Sequence, residues 1–389
     1  MASHDTKNEF PAKTLNLFNS KSTLLHLFIF LNGLPIGFVC AFCIQSYLAT
    51  NPIFFFSALP SISQPKPPAS SKIPPTLLPP MGFSVKRQIP MMHNMSDEDL
   101  VRSVMKVTTE NVTTVPHKVA FMFLTPGRMP FTPLWELFFK GHKGLFTIYV
   151  HTHPSYNETI PRHSVFHDTR ITSQPVYWGD ISMVDAERRL LANALLDPSN
   201  QRFVLLSDSC IPLFNFTVTY NYLINSNFSY VSSYDEKAKS GRGRYNPQML
   251  PEITIHDWRK GSQWFEVNRT LALGIVTDKK YYSLFKQFCH PPCYNDEHYL
   301  PTLASILYGE MNSNRTVTHV DWSKVGPHPR RYVASEITAE FLNSIRFGSK
   351  ECIYNGKPAY TCFLFSRKFT WSTLKPLLTF APLLFGENP

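Results

Sequence analysis

The chain has 389 residues, a length that fits one large α/β domain with appended segments. Hydrophobic residues make up 43% of the sequence and 31 residues are phenylalanine, which excludes an intrinsically disordered protein. The formal net charge of +10 favours an acidic partner such as nucleic acid, a membrane surface, an acidic polysaccharide or a nucleotide diphosphate.

The first element along the chain is a predicted membrane anchor at residues 24–48. No Asp, Glu, Lys or Arg occurs in residues 22–65, and the apolar run is long enough to cross a bilayer as a helix. Lys13 and Lys21 precede the run and the next lysine is Lys66, so we expect the C-terminal part to lie across the membrane. A cleaved signal peptide, which normally has a shorter apolar core, and a buried core helix are the alternatives.

A proline-rich stem is predicted after the anchor. Eight of the 21 residues from 60 to 80 are proline, a composition that favours extended polyproline II. A stalk is the simplest interpretation, and a proline-rich recognition site is the alternative. The predicted organisation is a cytosolic tail (1–23), a signal anchor (24–48), a stem (49–93) and a luminal domain (94–389). A luminal domain does not meet nucleic acid, so nucleic acid is not an expected partner.

Asn-x-Ser/Thr sequons occur beyond the anchor, as expected for a protein of the secretory pathway. Asn215 lies near the end of a predicted buried strand and is not expected to be used. The predicted glycosylation sites are Asn94, Asn111, Asn157, Asn227, Asn268 and Asn314.

Five of the seven cysteines lie in the predicted luminal domain, and an odd number leaves at least one of them unpaired or paired to another chain. We pair Cys289 with Cys293 and Cys352 with Cys362, because each pair closes a short loop. Cys210 is then expected to be free and buried. A zinc site is the alternative, but it would need four Cys or His ligands in a recurring close spacing, which these residues do not show.

Three apolar runs of the luminal domain are predicted to be strands, at residues 118–127, 145–154 and 202–214. Each run is continuous rather than alternating, which indicates a strand buried on both faces, as in a parallel sheet. Helical spacing separates the runs at residues 133–142 and 182–198. This order predicts βαβ crossovers and an α/β fold.

Ligands of such sheets bind outside the carboxyl ends of the strands. The sequence has neither a GxGxxG pattern nor a Walker loop, which argues against a standard dinucleotide enzyme or a P-loop kinase. Ser182 suits an N-cap for the second helix. After residue 230 the sequence is irregular and rich in Arg, Trp and Tyr, so we expect this half to shape the substrate site rather than to extend the sheet.

Five motifs carry a resemblance to a known family. They are VLLSDSCIPLFNF (204–216), WRKGSQWFEVNR (258–269), NDEHYLPTL (295–303), THVDW (318–322) and CFLFSRKF (362–369). In this order they resemble the core-2/I-branching β-1,6-N-acetylglucosaminyltransferase family, most closely its plant branch. The motifs span nearly the whole luminal domain, and they are specific as a set although none is specific alone.

The resemblance implies a type II Golgi membrane protein with a GT-A-like, Rossmann-type nucleotide-sugar domain. It also implies inverting transfer from a UDP-sugar without a divalent metal or other cofactor. Asp208 stands where a metal-binding Asp-x-Asp could lie, but Cys210 occupies the second position. The Asp-x-Asp of this chain is Asp97 to Asp99, which together with Ser96 is typical of a helix cap.

By resemblance, Arg367 and Lys368 are expected to bind the UDP diphosphate by charge and hydrogen bonds, which a metal-independent enzyme needs. A solvated basic surface is the alternative interpretation of this pair. The remaining donor-binding candidates lie at the predicted strand ends: Thr125, Gly127, Arg128, His151 and Asp208. His151 stands near the position where relatives present an acid to the nucleotide, and a tight turn would also explain Gly127.

Acceptor binding is expected from aromatic and basic residues of the irregular half. Trp322 follows a run after which relatives place an acceptor-contacting tryptophan, and Trp264 is the second candidate, with a place in the core as the alternative. Arg244 and Tyr245 lie in a glycine-rich basic loop that either covers the donor as a lid or is simply exposed.

Glu297 is the predicted general base. The family's catalytic glutamate lies in this Asp-Glu motif, and a helix that begins near Asn295 would stabilise the ionised carboxylate. Asp296 is then expected to be structural, for example as a cap, and His298 to support the base. The alternative is that Asp296 and Glu297 are ordinary first-turn acids.

Three functions remain to be compared. The first is transfer of N-acetylglucosamine or another sugar, such as glucuronic acid, from UDP to a glycan; a cell-wall polysaccharide or arabinogalactan-type glycan fits the compartment. The second is an inactive Golgi relative that binds glycans or acts as a scaffold. The third is a glycoside hydrolase, which needs two opposed carboxylates; the adjacent Asp296 and Glu297 would diverge by about 100° on a helix.

Overall fold

The computed structural model describes residues 91–108, 116–324, 326, 328–348 and 351–386. They all belong to the unit that runs from Ser84 to Pro389. The predicted anchor, nearly all of the predicted stem and the sequon at Asn111 lie outside the described residues. Within the described ranges, no helix has both the length and the apolar character needed to cross a membrane.

The strands are β1 (Lys118–Leu124), β2 (Phe146–His151), β3 (Asn200–Ser207), β4 (Ile211–Pro212), β5 (Glu266–Asn268), β6 (Thr318–Val320), β7 (Cys352–Tyr354), β8 (Lys357–Ala359) and β9 (Phe365–Arg367). The α-helices are α1 (Asp97–Thr108), α2 (Thr132–Phe139), α3 (Ser182–Leu195), α4 (Phe216–Ile224), α5 (Arg269–Thr277), α6 (Lys280–Phe288), α7 (Asn295–Tyr308), α8 (Ala339–Phe347), α9 (Leu374–Thr379) and α10 (Ala381–Phe385).

A four-stranded sheet in the order β2-β1-β3-β5 forms the centre of the domain. β1 pairs in parallel with both β2 and β3, in the registers Leu124 with His151 and Leu124 with Ser207. Nearly every residue of β1 and β3 is buried, because helices cover both faces of the sheet. The α/β fold with a parallel sheet is therefore confirmed.

Two hydrophobic layers cover the sheet. Helices α3, α5 and α7 pack against one another over one face. Over the other face, Trp135, Phe138 and Phe139 of α2 make edge-on contacts with Phe121 of β1. Aromatic pairs in this geometry add about 0.5–1.5 kcal/mol each beyond the area they bury. The predicted helix at 133–142 thus exists, and it ends before Gly141, which has a φ of +80°.

β5 corrects the expectation that the half after residue 230 adds nothing to the sheet. It pairs antiparallel with β3, and the Arg202 Nη2 to Glu266 Oε2 ion pair (2.6 Å) joins the two strands. Both side chains are buried, and burial raises the pKa of Glu266 while the Arg202 charge opposes that rise. Removing one partner of such a pair would leave an uncompensated charge in the core.

The predicted third strand, residues 202–214, is in fact two strands separated by a turn. β3 ends at Ser207, and β4 starts at Ile211 and joins a second sheet in the order β4-β9-β6. β9 pairs antiparallel with β4 and parallel with β6. This arrangement brings the end of β9, at Arg367, beside the carboxyl end of β3.

Of the two helix caps predicted from the sequence, one is present and the other is not. Ser96 Oγ accepts a hydrogen bond from the Asp99 amide (3.1 Å), so the Asp97–Asp99 run is a helix start, as predicted. Ser182 was expected to cap α3, but it is the first residue of that helix and its Oγ accepts from the Tyr177 amide (3.0 Å). Asp180 instead accepts from the Ser182 amide (2.9 Å).

Both predicted disulfide bonds, Cys289–Cys293 and Cys352–Cys362, are present, and Cys210 is free and buried. The first bond closes the segment between α6 and α7. It therefore anchors the start of α7, the helix that carries Glu297.

Candidate active site

A cleft of about 1110 Å³ opens at the carboxyl ends of the parallel strands, where ligands of α/β sheets bind. Eight of the residues singled out in the sequence line it. They are Thr125, His151, Asp208, Trp264, Glu297, Trp322, Arg367 and Lys368.

His151 ends β2 and is 1% exposed. Burial and the neighbouring Arg189 charge lower its pKa to about 4, so the ring is neutral near pH 7. Its Nε2 lies 3.4 Å from the Gln174 amide and 3.3 Å from Arg189 Nη1, both of which are donors. Nε2 therefore accepts, and Nδ1 carries the proton; within the described residues that buried Nδ1 has no partner.

Arg367 and Lys368 lie at the end of β9, beside Asp208. The guanidinium carbon of Arg367 is 4.1 Å from the ring centroid of Trp264, and its buried Nε has no hydrogen-bond partner within the described residues. Burial raises the pKa of Asp208, and the charges of Arg367 and Lys368 act against this rise. Two cations thus share one nearby carboxylate, which suits a site for a diphosphate.

Glu297 lies in the first turn of α7, where the helix N-terminus stabilises a carboxylate. Its Oε2 accepts a hydrogen bond from Arg244 Nη1 (2.6 Å) and lies 3.9 Å from Lys260 Nζ. Arg244 also stacks on Tyr294, with its guanidinium carbon 4.5 Å from the ring centroid. The carboxylate is therefore held in position by neighbouring charges. In addition, the Gly261 amide donates a hydrogen bond to the Glu297 carbonyl (2.9 Å), which fixes the backbone of the helical turn that carries Glu297.

Asp296 and Glu187 form an acidic pair that the sequence did not indicate; Glu187 is buried and Asp296 is half-buried. Asp296 lines the cleft, and its buried Oδ1 has no partner within the described residues. Burial and the Glu297 charge raise the pKa of Asp296 to about 6. Burial, with the Asp296 charge, raises the pKa of Glu187 well above its usual range, and Gln263 Nε2 donates to Glu187 Oε1 (2.9 Å). Asp296 does not cap the helix, because Tyr294 holds that position without a side-chain bond.

His298 is a core residue rather than a cleft residue. It is fully buried, stacks on Trp258 with ring centroids 4.6 Å apart, and bonds the Arg259 carbonyl through Nδ1 (2.8 Å). Burial lowers its pKa to about 3, so the ring stays neutral. It supports the packing of α7 one residue after Glu297.

Tryptophans contribute to the cleft in two ways. Trp264 is buried below Arg367, so the core and site interpretations both apply to it. Trp322 is 56% exposed within the cleft. Trp178, which also lines the cleft, was not found from the sequence, because it lies in a turn outside the motifs that carry the resemblance.

Gly127, Arg128 and Tyr245 are predicted site residues that the structure places outside the cleft. Gly127 and Arg128 line a separate cavity of about 280 Å³, where Arg128 Nη2 pairs with Glu158 Oε1 (3.0 Å). The hydroxyl of Tyr245 donates to the Ile253 carbonyl (2.7 Å), so its polar end is already used. Arg244, its neighbour, was also predicted to bind the acceptor; it is not among the residues that line the cleft, but its guanidinium reaches Glu297.

The predicted glycosylation sites differ in accessibility. Asn94, Asn157, Asn227 and Asn314 are exposed. Asn268 is half-buried, and its side chain accepts from the Leu271 amide (2.9 Å) at the start of α5. In the described part of the chain, no group of three or more His, Cys, Asp or Glu side chains is arranged to hold a metal ion.

Comparison with known proteins gives two findings. The family model described as "Branch: Core-2/I-Branching enzyme" matches residues 119–346. Glycosyltransferase BC10 from Oryza sativa subsp. japonica is 38% identical to this chain over 299 residues, which cover 65% of this chain and 74% of the relative. The matched region contains the parallel sheet and the helix that carries Glu297.

Proposed function

Because the chain belongs to the Core-2/I-Branching enzyme family and is a glycosyltransferase, we propose that it transfers a sugar from a UDP-sugar to a glycan hydroxyl. The proposed transfer inverts the anomeric configuration and uses no metal ion. The observation that carries this proposal is that one cleft holds both a helix-borne carboxylate, Glu297, and two clustered cations, Arg367 and Lys368.

The donor is proposed to lie across the ends of the parallel strands, in a domain of the GT-A type. The protonated Nδ1 of His151 would donate to a carbonyl oxygen of the uracil, where an acid would instead accept from the ring N–H. Arg367 and Lys368 would neutralise the diphosphate as it leaves. The charge of Asp208 would then favour the protonated forms of both side chains.

The proposed chemistry is a single displacement. Glu297 takes the proton from the acceptor hydroxyl while that oxygen forms a bond to the anomeric carbon. The bond from that carbon to the UDP oxygen breaks, and UDP leaves with the electron pair. Since Arg244 occupies Oε2 of Glu297, the proton would go to Oε1.

The chain is further proposed to be a single-pass type II protein of the Golgi membrane. The charge-free run at 24–48, the lysines on one side of it and the sequons beyond it support this placement. Transfer to a glycan of the secretory pathway, such as a cell-wall polysaccharide or an arabinogalactan, is consistent with that compartment.

The proposal is tested with the purified full-length chain, a panel of UDP-sugars and a mixture of glycan acceptors, in the presence of EDTA. We expect acceptor-dependent release of UDP that EDTA does not abolish. Loss of turnover on chelation, restored by Mn²⁺, would contradict metal-independent transfer.

The diphosphate site is tested by replacing Arg367 and Lys368 together with alanine. UDP binding should weaken by on the order of 2–5 kcal/mol, because charged hydrogen bonds to the phosphates are lost. The control is Lys279→Ala with Lys280→Ala, an adjacent basic pair outside the cleft. Equal UDP affinity in both double variants would remove Arg367 and Lys368 from the donor site.

A further inference from the structure

Trp178 is an exposed aromatic side chain at the cleft. It lines the cleft and yet is 61% exposed. Its ring centroid lies 4.8 Å from that of Tyr294 and 5.6 Å from that of His328. A tryptophan that keeps most of its surface in water gains little from folding, so a ligand would account for its position better than packing does.

The turn that carries Trp178 is fixed by hydrogen bonds on both sides of it. The Tyr177 amide donates to Ser182 Oγ (3.0 Å), and the Asp180 amide donates to the Tyr177 carbonyl (3.2 Å). Gly179 has a φ of +77°, and a Cβ at this position would lie 2.8 Å from the Tyr294 ring. The indole is therefore held in place before any ligand arrives, which lowers the entropic cost of binding.

A continuous series of contacts leads from Trp178 to the proposed base. Trp178 packs on Tyr294, Tyr294 carries the Arg244 guanidinium (4.5 Å), and Arg244 donates to Glu297 (2.6 Å). A ligand stacked on Trp178 would thus lie on the same wall of the cleft as the carboxylate that is proposed to take the acceptor's proton.

We propose that Trp178, with Tyr294 and His328, forms an acceptor subsite that stacks a pyranose ring of a β-linked glycan. This proposal rests on the proposed glycosyl transfer. A pyranose has a face of C–H groups that packs on an indole, while its hydroxyls can form hydrogen bonds with His328, whose ring lies next to that of Trp178. In a β-linked chain the equatorial glycosidic bonds leave that face free, so the chain can lie flat along the aromatic side chains. The cations expected to hold UDP lie elsewhere, at the end of β9.

The test measures binding of three β-linked tetrasaccharides, xylotetraose, cellotetraose and β-1,3-galactotetraose, to the full-length chain by calorimetry. We expect the wild type to bind at least one of them. Trp178→Ala should weaken that binding about tenfold or more, and Trp178→Phe should restore most of it, because phenylalanine keeps an aromatic face on which the sugar can stack. UDP affinity should not change.

Trp371→Ala is the matched control, since Trp371 is 80% exposed and does not line the cleft. In turnover assays, Trp178→Ala should raise the KM for the acceptor and leave kcat nearly unchanged, whereas Trp371→Ala should change neither. A merely structural role for Trp178 would instead lower the melting temperature and affect the donor and the acceptor alike.

Three results would overturn the subsite. They are the absence of binding of all three tetrasaccharides by the wild type, equal affinities of the Trp178→Ala and Trp371→Ala variants, and a loss of UDP rather than tetrasaccharide binding in Trp178→Ala. The proposed function fails separately. If Trp178→Ala loses tetrasaccharide binding but the wild type transfers no sugar, the subsite stands and the transfer does not.

Discussion

At the scale of single residues, the charges around Glu297 hold its carboxylate in position. Arg244 and Lys260 lie on one side of the carboxylate, and Asp296 precedes it in the chain. The hydrogen bond from Arg244 to Oε2 fixes the orientation of the carboxylate, as a general base requires. A hydrolase pair of opposed carboxylates is not what this geometry provides, because Asp296 and Glu297 are adjacent in the first turn of α7 and their side chains diverge.

The first residue-scale prediction concerns Glu297→Gln. This change keeps the shape of the side chain and its bond to Arg244 but removes the base, so turnover should fall about 100-fold or more. UDP affinity and melting temperature should stay close to those of the wild type. Steady-state turnover and calorimetric UDP binding measure both effects.

Glu158→Gln is the control, since Glu158 also pairs with an arginine but lies outside the cleft. It should leave turnover unchanged. Near-normal transfer by the Glu297→Gln variant would assign Glu297 to helix structure and leave the base unidentified.

The second residue-scale prediction concerns the pH dependence of stability at Asp296. Its pKa is raised to about 6, so the folded state binds the proton more tightly than the unfolded state. The free energy of unfolding should therefore fall as the pH rises from about 4 to about 6, and stay lower above that. Asp296→Asn removes the cost of keeping this carboxylate charged in the folded state. The variant should therefore have a free energy of unfolding about 2–3 kcal/mol above that of the wild type at pH 8, and nearly the same value at pH 4. Denaturant unfolding at the two pH values measures this.

Asp180→Asn gives the opposite sign. Hydrogen bonds from Ser182 lower the pKa of Asp180, so its contribution is present above the unfolded pKa and is lost as the pH falls. Asp180→Asn should thus reduce stability at pH 8 and matter less at low pH. If the free energy of unfolding varies with pH in the same way in Asp296→Asn and in the wild type, the charged form of Asp296 is not unfavourable in the folded state, and the prediction for Asp296 is wrong.

At the scale of elements, the sequence predicts best where one signal suffices. Continuous apolar runs identified β1, β2 and β3, because strands buried on both faces cannot alternate. The same signal failed at residues 208–210, where a polar turn divides the run, and at β5, which has only three residues. Short strands are fixed by partners distant in sequence, and no local pattern records those partners.

The candidate site was predicted to a similar extent. Glu297, Arg367 and Lys368 lie in motifs and do line the cleft, although their roles stay predictions. Gly127 and Arg128 follow β1 directly, but the chain turns toward Tyr156 and Glu158 after Pro126. The Glu187–Asp296 pair could not be foreseen, since it joins residues on two helices about a hundred positions apart.

The element-scale prediction concerns the turn before α3. Gly179→Ala adds a methyl group at a φ of +77° and at 2.8 Å from the Tyr294 ring. The change should lower the free energy of unfolding in two ways, because alanine is strained at this φ and because the Tyr294 ring has to move. Gly141→Ala measures the backbone strain alone, because Gly141 has a φ of +80° and open space around it. By denaturant unfolding, we expect Gly141→Ala to lower the free energy of unfolding by about 1 kcal/mol and Gly179→Ala to lower it clearly more. Equal losses of unfolding free energy in the two variants would mean that the Tyr294 ring moves aside without cost.

At the scale of the whole molecule, the prediction is one of topology. The charge-free run at 24–48 with lysines before it predicts that the domain from residue 94 onward lies in the lumen. Protease added to sealed microsomes should leave that domain intact, and addition of detergent should expose it. Digestion without detergent would reverse the orientation.

The second sheet has a consequence for how the protein is made. β9 is the middle strand of β4-β9-β6 and ends in Arg367, more than 240 residues after Thr125 on the opposite part of the cleft. During synthesis the parallel sheet and α7 can fold before residue 365 has emerged, but the proposed diphosphate site cannot form until it has. A premature stop between residues 349 and 364 would retain the entire region matched by the family model while removing β9. Such a truncated product would match the family by sequence and would lack Arg367 and Lys368, the two cations that are proposed to hold the donor.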